Sequence, residues 1–191
     1  ILQQALRYKR YWGKKGGITV SGGEALLQID FVTELFTLAK EKGVNTCLDT
    51  AGNPFTREEP FYSKFEKLME VTDLFMLDIK EIDEDEHKQL TGQTNKNILD
   101  MATCLSDHGK AMWIRHVLVP GITDDDGQLH RLRAFIDTLK TVERVEILPY
   151  HTLGVFKWKE LGIPYALEEV EPPTKEQVEH AREIIIPGYK S

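Results

Sequence analysis

Five short apolar runs, each followed by a segment with helical periodicity, constrain the fold of this chain more than any other feature. The runs are rich in Val, Ile, Leu and Phe. Their hydrophobicity is mostly continuous, which is typical of parallel strands covered on both faces. Repetition of strand and helix predicts an α/β protein with a parallel sheet. The predicted strands are Gly17–Ser21, Asn45–Thr50, Asp73–Lys80, Ala111–Val119 and Arg144–Tyr150.

The segments between these runs carry apolar residues at helical spacing. In the first of them, Phe31 and Leu35 begin an apolar stripe, and Gly43 stands where a helix C-terminus favours glycine. Near the end of the chain, Thr174 and Gln177 predict a capping box that opens a last helix. No segment has the composition of an interdomain linker. A chain of 191 residues without a linker is predicted to form a single domain over residues 1–191.

Composition narrows the classes of function. A net charge of −7 argues against nucleic acid as a partner, since phosphate binding needs a basic face. No apolar run approaches the roughly 20 residues that span a bilayer. Two cysteines do not make a disulfide framework. The sequence therefore predicts a cytoplasmic protein with neither a nucleic-acid nor a membrane partner.

Polar residues gather where the predicted strands end. In parallel α/β folds, ligands bind beyond the carboxyl ends of the strands, where the loops that lead into the helices meet. The sequence therefore predicts one ligand site at that edge of the sheet. Its candidate residues are Gly22, Gly23, Glu24, Asp49, Asp78, Ile79, Lys80, Arg115 and His151.

The segment Gly22-Gly23-Glu24 allows two interpretations. Glycines at a strand end let a ligand reach the bare backbone, and a neighbouring carboxylate adds a charge-assisted acceptor, which together suit an ammonium group. Alternatively, the glycines form a tight turn and Glu24 supports the N-terminus of the following helix. The spacing alone gives the two interpretations equal weight.

The charged residues of the other strand ends also have structural alternatives. Asp78 and Lys80 lie on the same face of a strand, where they either grip a polar ligand or form a salt bridge with each other. Lys80 is also a candidate Schiff-base nucleophile. Arg115 lies within an apolar run, so it needs either Asp49 or Asp78 or an anionic ligand. His151 is a ligand donor or a structural histidine. His116, which follows Arg115 directly, is predicted to face the side of the strand opposite to Arg115.

Taken in order, five motifs resemble the radical S-adenosylmethionine (SAM) enzymes that activate glycyl-radical enzymes. The resemblance extends from about Trp12 to the last helix, and the order of the motifs makes it specific. The motifs are SGGEALLQ, CLDTAG, MLDIK, WIRHVLVPG and ILPYHTLG.

The resemblance implies a function and a role for each candidate. Family members bind a 4Fe-4S cluster and SAM, and form a 5′-deoxyadenosyl radical that takes a hydrogen atom from a glycine of the partner enzyme. Pyruvate formate-lyase is the expected partner and flavodoxin or a ferredoxin the expected reductant. By resemblance, Gly22-Gly23-Glu24 would hold the methionine amine, Asp78-Ile79-Lys80 would form a second cofactor segment, and His151 would lie near the nucleoside. Arg115 would lie close to the cofactor, and Asp49 with Thr50, Met76 and Asp78 could hold a monovalent cation.

One departure from the family pattern is severe. Family members hold the cluster with three cysteines in C-x-x-x-C-x-x-C, and this sequence contains no such motif. Since cluster iron needs thiolates within reach, the ligand cysteines are expected outside this chain. The expected fold is therefore a partial, open parallel β/α barrel of the radical SAM type, with the first strand and the cluster loop absent. Alternatives are an activator of another glycyl-radical enzyme, a Schiff-base lyase using Lys80, and a binding domain that has lost the cluster.

Overall fold

The computed structural model describes residues 1–13 and 16–190. Its centre is a sheet of five parallel strands in the order β1-β2-β3-β4-β5, so that each strand pairs with the strands before and after it in sequence. Within the described residues the sheet is open, with β1 and β5 at its edges. The strands are β1 (Gly17–Val20), β2 (Asn45–Thr50), β3 (Leu74–Asp78), β4 (Met112–Leu118) and β5 (Val142–Pro149).

Helices connect successive strands, as the sequence predicts, and a last helix follows β5. The prediction missed α4, whose residues are mostly polar, and α7, which is short. The capping box of Thr174 and Gln177 is confirmed. The helices are α1 (Leu2–Leu6), α2 (Ile29–Glu41), α3 (Phe61–Val71), α4 (Glu84–Thr91), α5 (Lys96–Asp107), α6 (Asp126–Ile136), α7 (Val155–Glu160) and α8 (Lys175–Ile185).

The two faces of the sheet differ in character. On one face, which we call the helix face, Leu48, Leu77 and Ile114 are fully buried in a core shared with the helices. On the other, which we call the polar face, side chains are half-buried and several are charged. Alternation along each strand therefore places the adjacent residues Arg115 and His116 on opposite faces.

Strand register brings the charged residues of the polar face together. Asp49 lies opposite Met76, and Asp78 lies opposite Arg115. Because all five strands are parallel, their carboxyl ends reach the same edge of the sheet, which carries every predicted site segment. Across residues 1–13 and 16–190, no helix is long and apolar enough to span a bilayer.

Candidate functional site

Arg115 lies between two carboxylates on the polar face. Its Nε donates to Asp78 Oδ1 at 2.8 Å, and its Nη2 lies 2.7 Å from the same oxygen. Nη2 also donates to Asp49 Oδ1. The three side chains are between 16% and 22% exposed. Of the two interpretations of Arg115, pairing with the aspartates is the one observed.

The electrostatics of these three residues favour a bound cation over a bound anion. Burial raises the pKa of the Asp78 carboxyl above its ordinary value, and repulsion from Asp49 adds to this, against the attraction of Arg115. Burial acts to lower the pKa of Arg115, but the two carboxylates outweigh it and hold that pKa above its ordinary value. With all three groups ionised, two negative charges share one guanidinium. The net negative charge of these three residues attracts a ligand ammonium, and Lys80, whose positive charge also acts on Asp78, offsets part of it.

The Glu24 carboxylate accepts three hydrogen bonds from other groups of the chain. Its Oε1 accepts hydrogen bonds from the Leu26 N–H at 2.9 Å and the Thr50 hydroxyl at 2.6 Å, and its Oε2 accepts from the Ala51 N–H at 2.9 Å. Glu24 thereby caps the 3₁₀ turn Ala25–Gln28 and joins the loop after β1 to the end of β2. The capping interpretation is confirmed. Oε2 accepts one bond and retains a lone pair, so the ammonium contact stays a prediction.

The glycines before Glu24 expose bare backbone at the same edge. Gly22 has φ 90° and Gly23 has φ 41°, a region that side-chain-bearing residues rarely adopt. A Cβ added at either position would meet no atom within 4 Å. Conformation rather than crowding therefore requires glycine here, and a ligand can approach the peptide groups from open space.

Lys80 and His151 line one cleft of about 700 Å³, together with Val117, Leu148 and Tyr165. This volume is within the roughly 300–1,000 Å³ of small-molecule sites. Lys80 is half-buried and His151 is exposed. Within residues 1–13 and 16–190, Lys80 makes no hydrogen bond or ion pair, although its charge acts on Asp78. The alternative of an Asp78–Lys80 salt bridge is wrong, because Asp78 turns to Arg115.

Two further candidates face away from this cleft. The Ile79 side chain is buried on the helix face, so only its main chain reaches the site. Thr50 is also on the helix face and donates its hydroxyl to Glu24. Of the predicted cation group, the Thr50 hydroxyl is bonded to Glu24 and Arg115 bridges Asp49 and Asp78. The cation site itself stays a prediction.

Sequence reasoning missed two features of this edge. The Thr50 and Ala51 contacts to Glu24 join positions far apart in sequence, and no local sequence pattern predicts them. Tyr150 and Tyr165 share a hydrogen bond of 2.9 Å between their hydroxyls, and Tyr165 helps to form the cleft. Tyr150 stands beside His151 in the sequence, so its position at a strand end was the available signal.

A model of the Radical SAM superfamily matches residues 1–132, which is more than half of the chain. This chain belongs to the radical SAM superfamily. Curated relatives extend the match almost to the end of the chain. The pyruvate formate-lyase-activating enzyme of Streptococcus mutans is 58% identical over 185 residues, covering 97% of this chain and 70% of the relative. The enzyme of the same name from Listeria monocytogenes is 50% identical over 186 residues, covering 97% of this chain and 75% of the relative.

A solved structure supports the radical SAM fold. A domain of pyruvate-formate lyase-activating enzyme from Bacteroides vulgatus superposes with a TM-score of 0.73, covering 91% of this chain and 96% of the domain. At 21% identity, this likeness establishes the fold. The prediction of an open, parallel radical SAM sheet is confirmed.

Radical SAM enzymes use SAM and a 4Fe-4S cluster, and the described residues fit only the first. The open backbone of Gly22 and Gly23, the net negative charge around Arg115 and the unpaired Lys80 offer partners for an amine and a carboxylate. For the cluster, residues 1–13 and 16–190 contain no group of three or more His, Cys, Asp or Glu placed to hold a metal. Cys47 and Cys104 are free thiols whose pKa values burial raises, so both resist forming the thiolate that iron requires.

Proposed function

We propose that this chain belongs to an oxidoreductase that activates a glycyl-radical enzyme, with pyruvate formate-lyase as the target. The enzyme cleaves SAM reductively and removes a hydrogen atom from a glycine of that partner. The observation that carries the proposal is the 58% identity with the Streptococcus mutans pyruvate formate-lyase-activating enzyme across 97% of this chain. Such an enzyme works in the cytoplasm, and we propose a flavodoxin or a ferredoxin as the electron donor.

The methionine end of SAM is proposed to lie between the first and third strand ends. Its ammonium would meet the backbone carbonyls of Gly22 and Gly23 and the remaining lone pair of Glu24 Oε2. The net negative charge of Asp49, Asp78 and Arg115 supports an ammonium in this region. Lys80 has no partner in the described chain, and its ammonium would pair with the ligand carboxylate.

The nucleoside is proposed to occupy the cleft that Lys80 and His151 share. Val117 and Leu148 supply apolar walls for a base, and the exposed His151 ring can donate to a hydroxyl or ring nitrogen. Ile79 would contribute main chain alone. When bound, SAM supplies the sulfonium bond whose reductive cleavage gives the 5′-deoxyadenosyl radical. The cluster is proposed to be held by cysteines outside these 191 residues.

The test is an anaerobic activation assay with the complete protein that carries this sequence. The protein, SAM and a reducing flavodoxin are incubated with pyruvate formate-lyase, and the glycyl radical is measured by EPR alongside 5′-deoxyadenosine. We expect one radical signal that disappears when the target glycine is replaced by alanine. Release of 5′-deoxyadenosine without a radical on pyruvate formate-lyase, but with one on another glycyl-radical enzyme, would assign a different target.

The Schiff-base alternative has its own discriminating experiment. A lyase that uses Lys80 would be trapped by borohydride in the presence of a carbonyl substrate, as a mass increase on that residue. We expect no increase at Lys80, because the role proposed for its amine is to pair with the carboxylate of SAM and not to attack a carbonyl. Lys40, whose Nζ lies 2.7 Å from Asp73, is the matched control for nonspecific labelling.

A further inference from the structure

His116 is buried in a position where both ring nitrogens face carbonyl oxygens. Nδ1 lies 2.9 Å from the Ile79 oxygen, and Nε2 lies 3.0 Å from the Thr123 oxygen. The residue is 2% exposed. A neutral imidazole has a single N–H, so one ring nitrogen would present its lone pair to a carbonyl lone pair. Only the imidazolium donates to both carbonyls.

A buried imidazolium needs a negative charge nearby, and Glu81 is placed to supply it. Glu81 is 2% exposed. Its Oε1 accepts the N–H groups of Ile82 and Asp83, and its Oε2 is buried with no hydrogen-bond partner among the described residues. Burial raises the pKa of the Glu81 carboxyl above its ordinary value, and Glu86 on α4 adds to this, against the hydrogen bonds from the Asp83 and Ile82 N–H groups and the attraction of His116. No hydrogen bond or ion pair joins Glu81 to His116 among the described residues, so the two groups act on each other at a distance.

The two carbonyls that His116 reaches belong to segments that border the SAM cleft. The peptide of Ile79 is held at both ends, because its N–H also donates to the Arg115 oxygen at 2.9 Å. Lys80 follows directly. Thr123 belongs to the loop after β4, where its hydroxyl donates to the Val117 oxygen at 2.7 Å. His116 therefore joins the end of β3 to the loop after β4 from behind the sheet.

We propose that His116 is a positioning residue of the cofactor site: as an imidazolium that donates to both carbonyls, with Glu81 as the counter-charge, it fixes the main chain at Ile79 and so the place where Lys80 presents its ammonium. The ligand in this statement rests on the proposed function. The charge of the ring does not, because it follows from the two carbonyls and Glu81 alone.

The charge is tested by nitrogen-15 NMR of the chain labelled at histidine, at about pH 7.5, roughly one unit above the ordinary histidine pKa. We expect both His116 nitrogens to carry protons. A singly protonated His116 would overturn the proposal. In Glu81→Gln, we expect His116 to lose its second proton. If both protons remain, Glu81 is not the counter-charge and that part fails.

The positioning role is tested in the complete, cluster-loaded protein with His116→Gln. Glutamine carries both N–H groups on one nitrogen and cannot span the two carbonyls. We expect the KM for SAM to rise roughly fivefold, the size of one lost hydrogen bond, with kcat unchanged. His130→Gln is the matched control. An unchanged KM in His116→Gln would show a merely structural histidine. Failure of the wild-type protein to activate any partner would refute the proposed function, and the NMR result would still decide the charge.

Discussion

The amino and carboxyl ends of the central strands differ in whether their charged side chains are paired. At the amino edge, Asp73 precedes β3 and is fully engaged: Lys40 Nζ lies 2.7 Å away, and the Thr46 N–H donates at 2.9 Å. At the carboxyl edge, Lys80 follows the same strand and has no partner among residues 1–13 and 16–190. One strand thus begins with a neutralised charge and ends with an available one.

This difference separates stability from binding. In parallel β/α folds, groups at the amino ends of strands serve the fold, and groups at the carboxyl ends serve the ligand. Arg115 marks the boundary between the two, since it lies within β4 opposite the last residue of β3 and is already paired with Asp49 and Asp78. Substitutions at these positions test whether stability and binding are separated in this way.

The largest effect is expected from Arg115→Met, which leaves Asp49 and Asp78 without a counter-charge. Breaking a buried pair costs about 3–5 kcal/mol, and partial exposure reduces our expectation to about 2–3 kcal/mol lost from the free energy of unfolding. Urea denaturation measures it. The double variant Arg115→Met with Asp78→Asn should recover part of the loss. An unchanged urea midpoint in the single variant would show that Arg115 contributes nothing to stability, and Arg115 would then be grouped with Lys80 as a residue that serves binding.

Next in size is the effect of Lys80→Met on SAM binding. A hydrogen bond between charged groups is worth about 1.5–3 kcal/mol, so the Kd of the cluster-loaded protein should rise roughly 10- to 150-fold. The free energy of unfolding should change by less than about 0.5 kcal/mol. Lys40→Met is the matched control at the other edge: it should lower stability slightly and leave Kd unchanged. Equal effects of the two variants on Kd would erase the contrast between the edges.

Gly22→Ala should cost about 1–2 kcal/mol of stability, because a Cβ is unfavourable in the left-handed region. The new methyl group meets no protein atom, so any additional loss of SAM affinity reports contact between ligand and backbone. Calorimetric titration and thermal denaturation separate the two. Gly154→Ala is the control, since Gly154 has equally open space and an ordinary φ of −92°. A neutral Gly22→Ala would remove the argument that this turn requires glycine.

The smallest effect is expected from Asp73→Asn. Burial acts to raise the pKa of Asp73, but the hydrogen bonds from Lys40 and Thr46 outweigh it and hold this pKa below its ordinary value. Its contribution is therefore present above about pH 4 and is lost as pH falls through the lowered pKa. Because the side chain is 41% exposed, we expect about 0.5 kcal/mol at neutral pH. The difference in urea midpoint from wild type should be smaller near pH 3 than near pH 7.

Much of this architecture could be predicted from the sequence because the signals were local. The apolar run Asn45–Thr50 matches β2 to the residue, and β3 is shorter than predicted because Asp73 turns to Lys40 and the pairing ends at Asp78. Helix α4 escaped notice because its residues are polar. Its signals were Asp83, which caps the first N–H groups, and Gly92, which ends the helix in the left-handed region.

The sequence predicted the location of the site, at the carboxyl ends of the strands, but not the contacts between its side chains. Strand ends indicate where Glu24 and Arg115 lie, but their partners come from other strands. Glu24 meets the end of β2, and Arg115 pairs with both of the aspartates that the sequence offered as alternatives. Such pairings depend on register and on which side chains are already engaged. His116 illustrates the same limit, since its face was predictable and its two carbonyl partners were not.

The order β1-β2-β3-β4-β5 has a consequence for how the chain acquires its shape. Every strand pairing in the described sheet joins neighbours in the sequence, so each new pairing closes a single crossover that contains at least one helix. Low separation between contacting segments speeds folding. The molecule can therefore assemble progressively as it leaves the ribosome, with each strand docking onto the strand synthesised just before it.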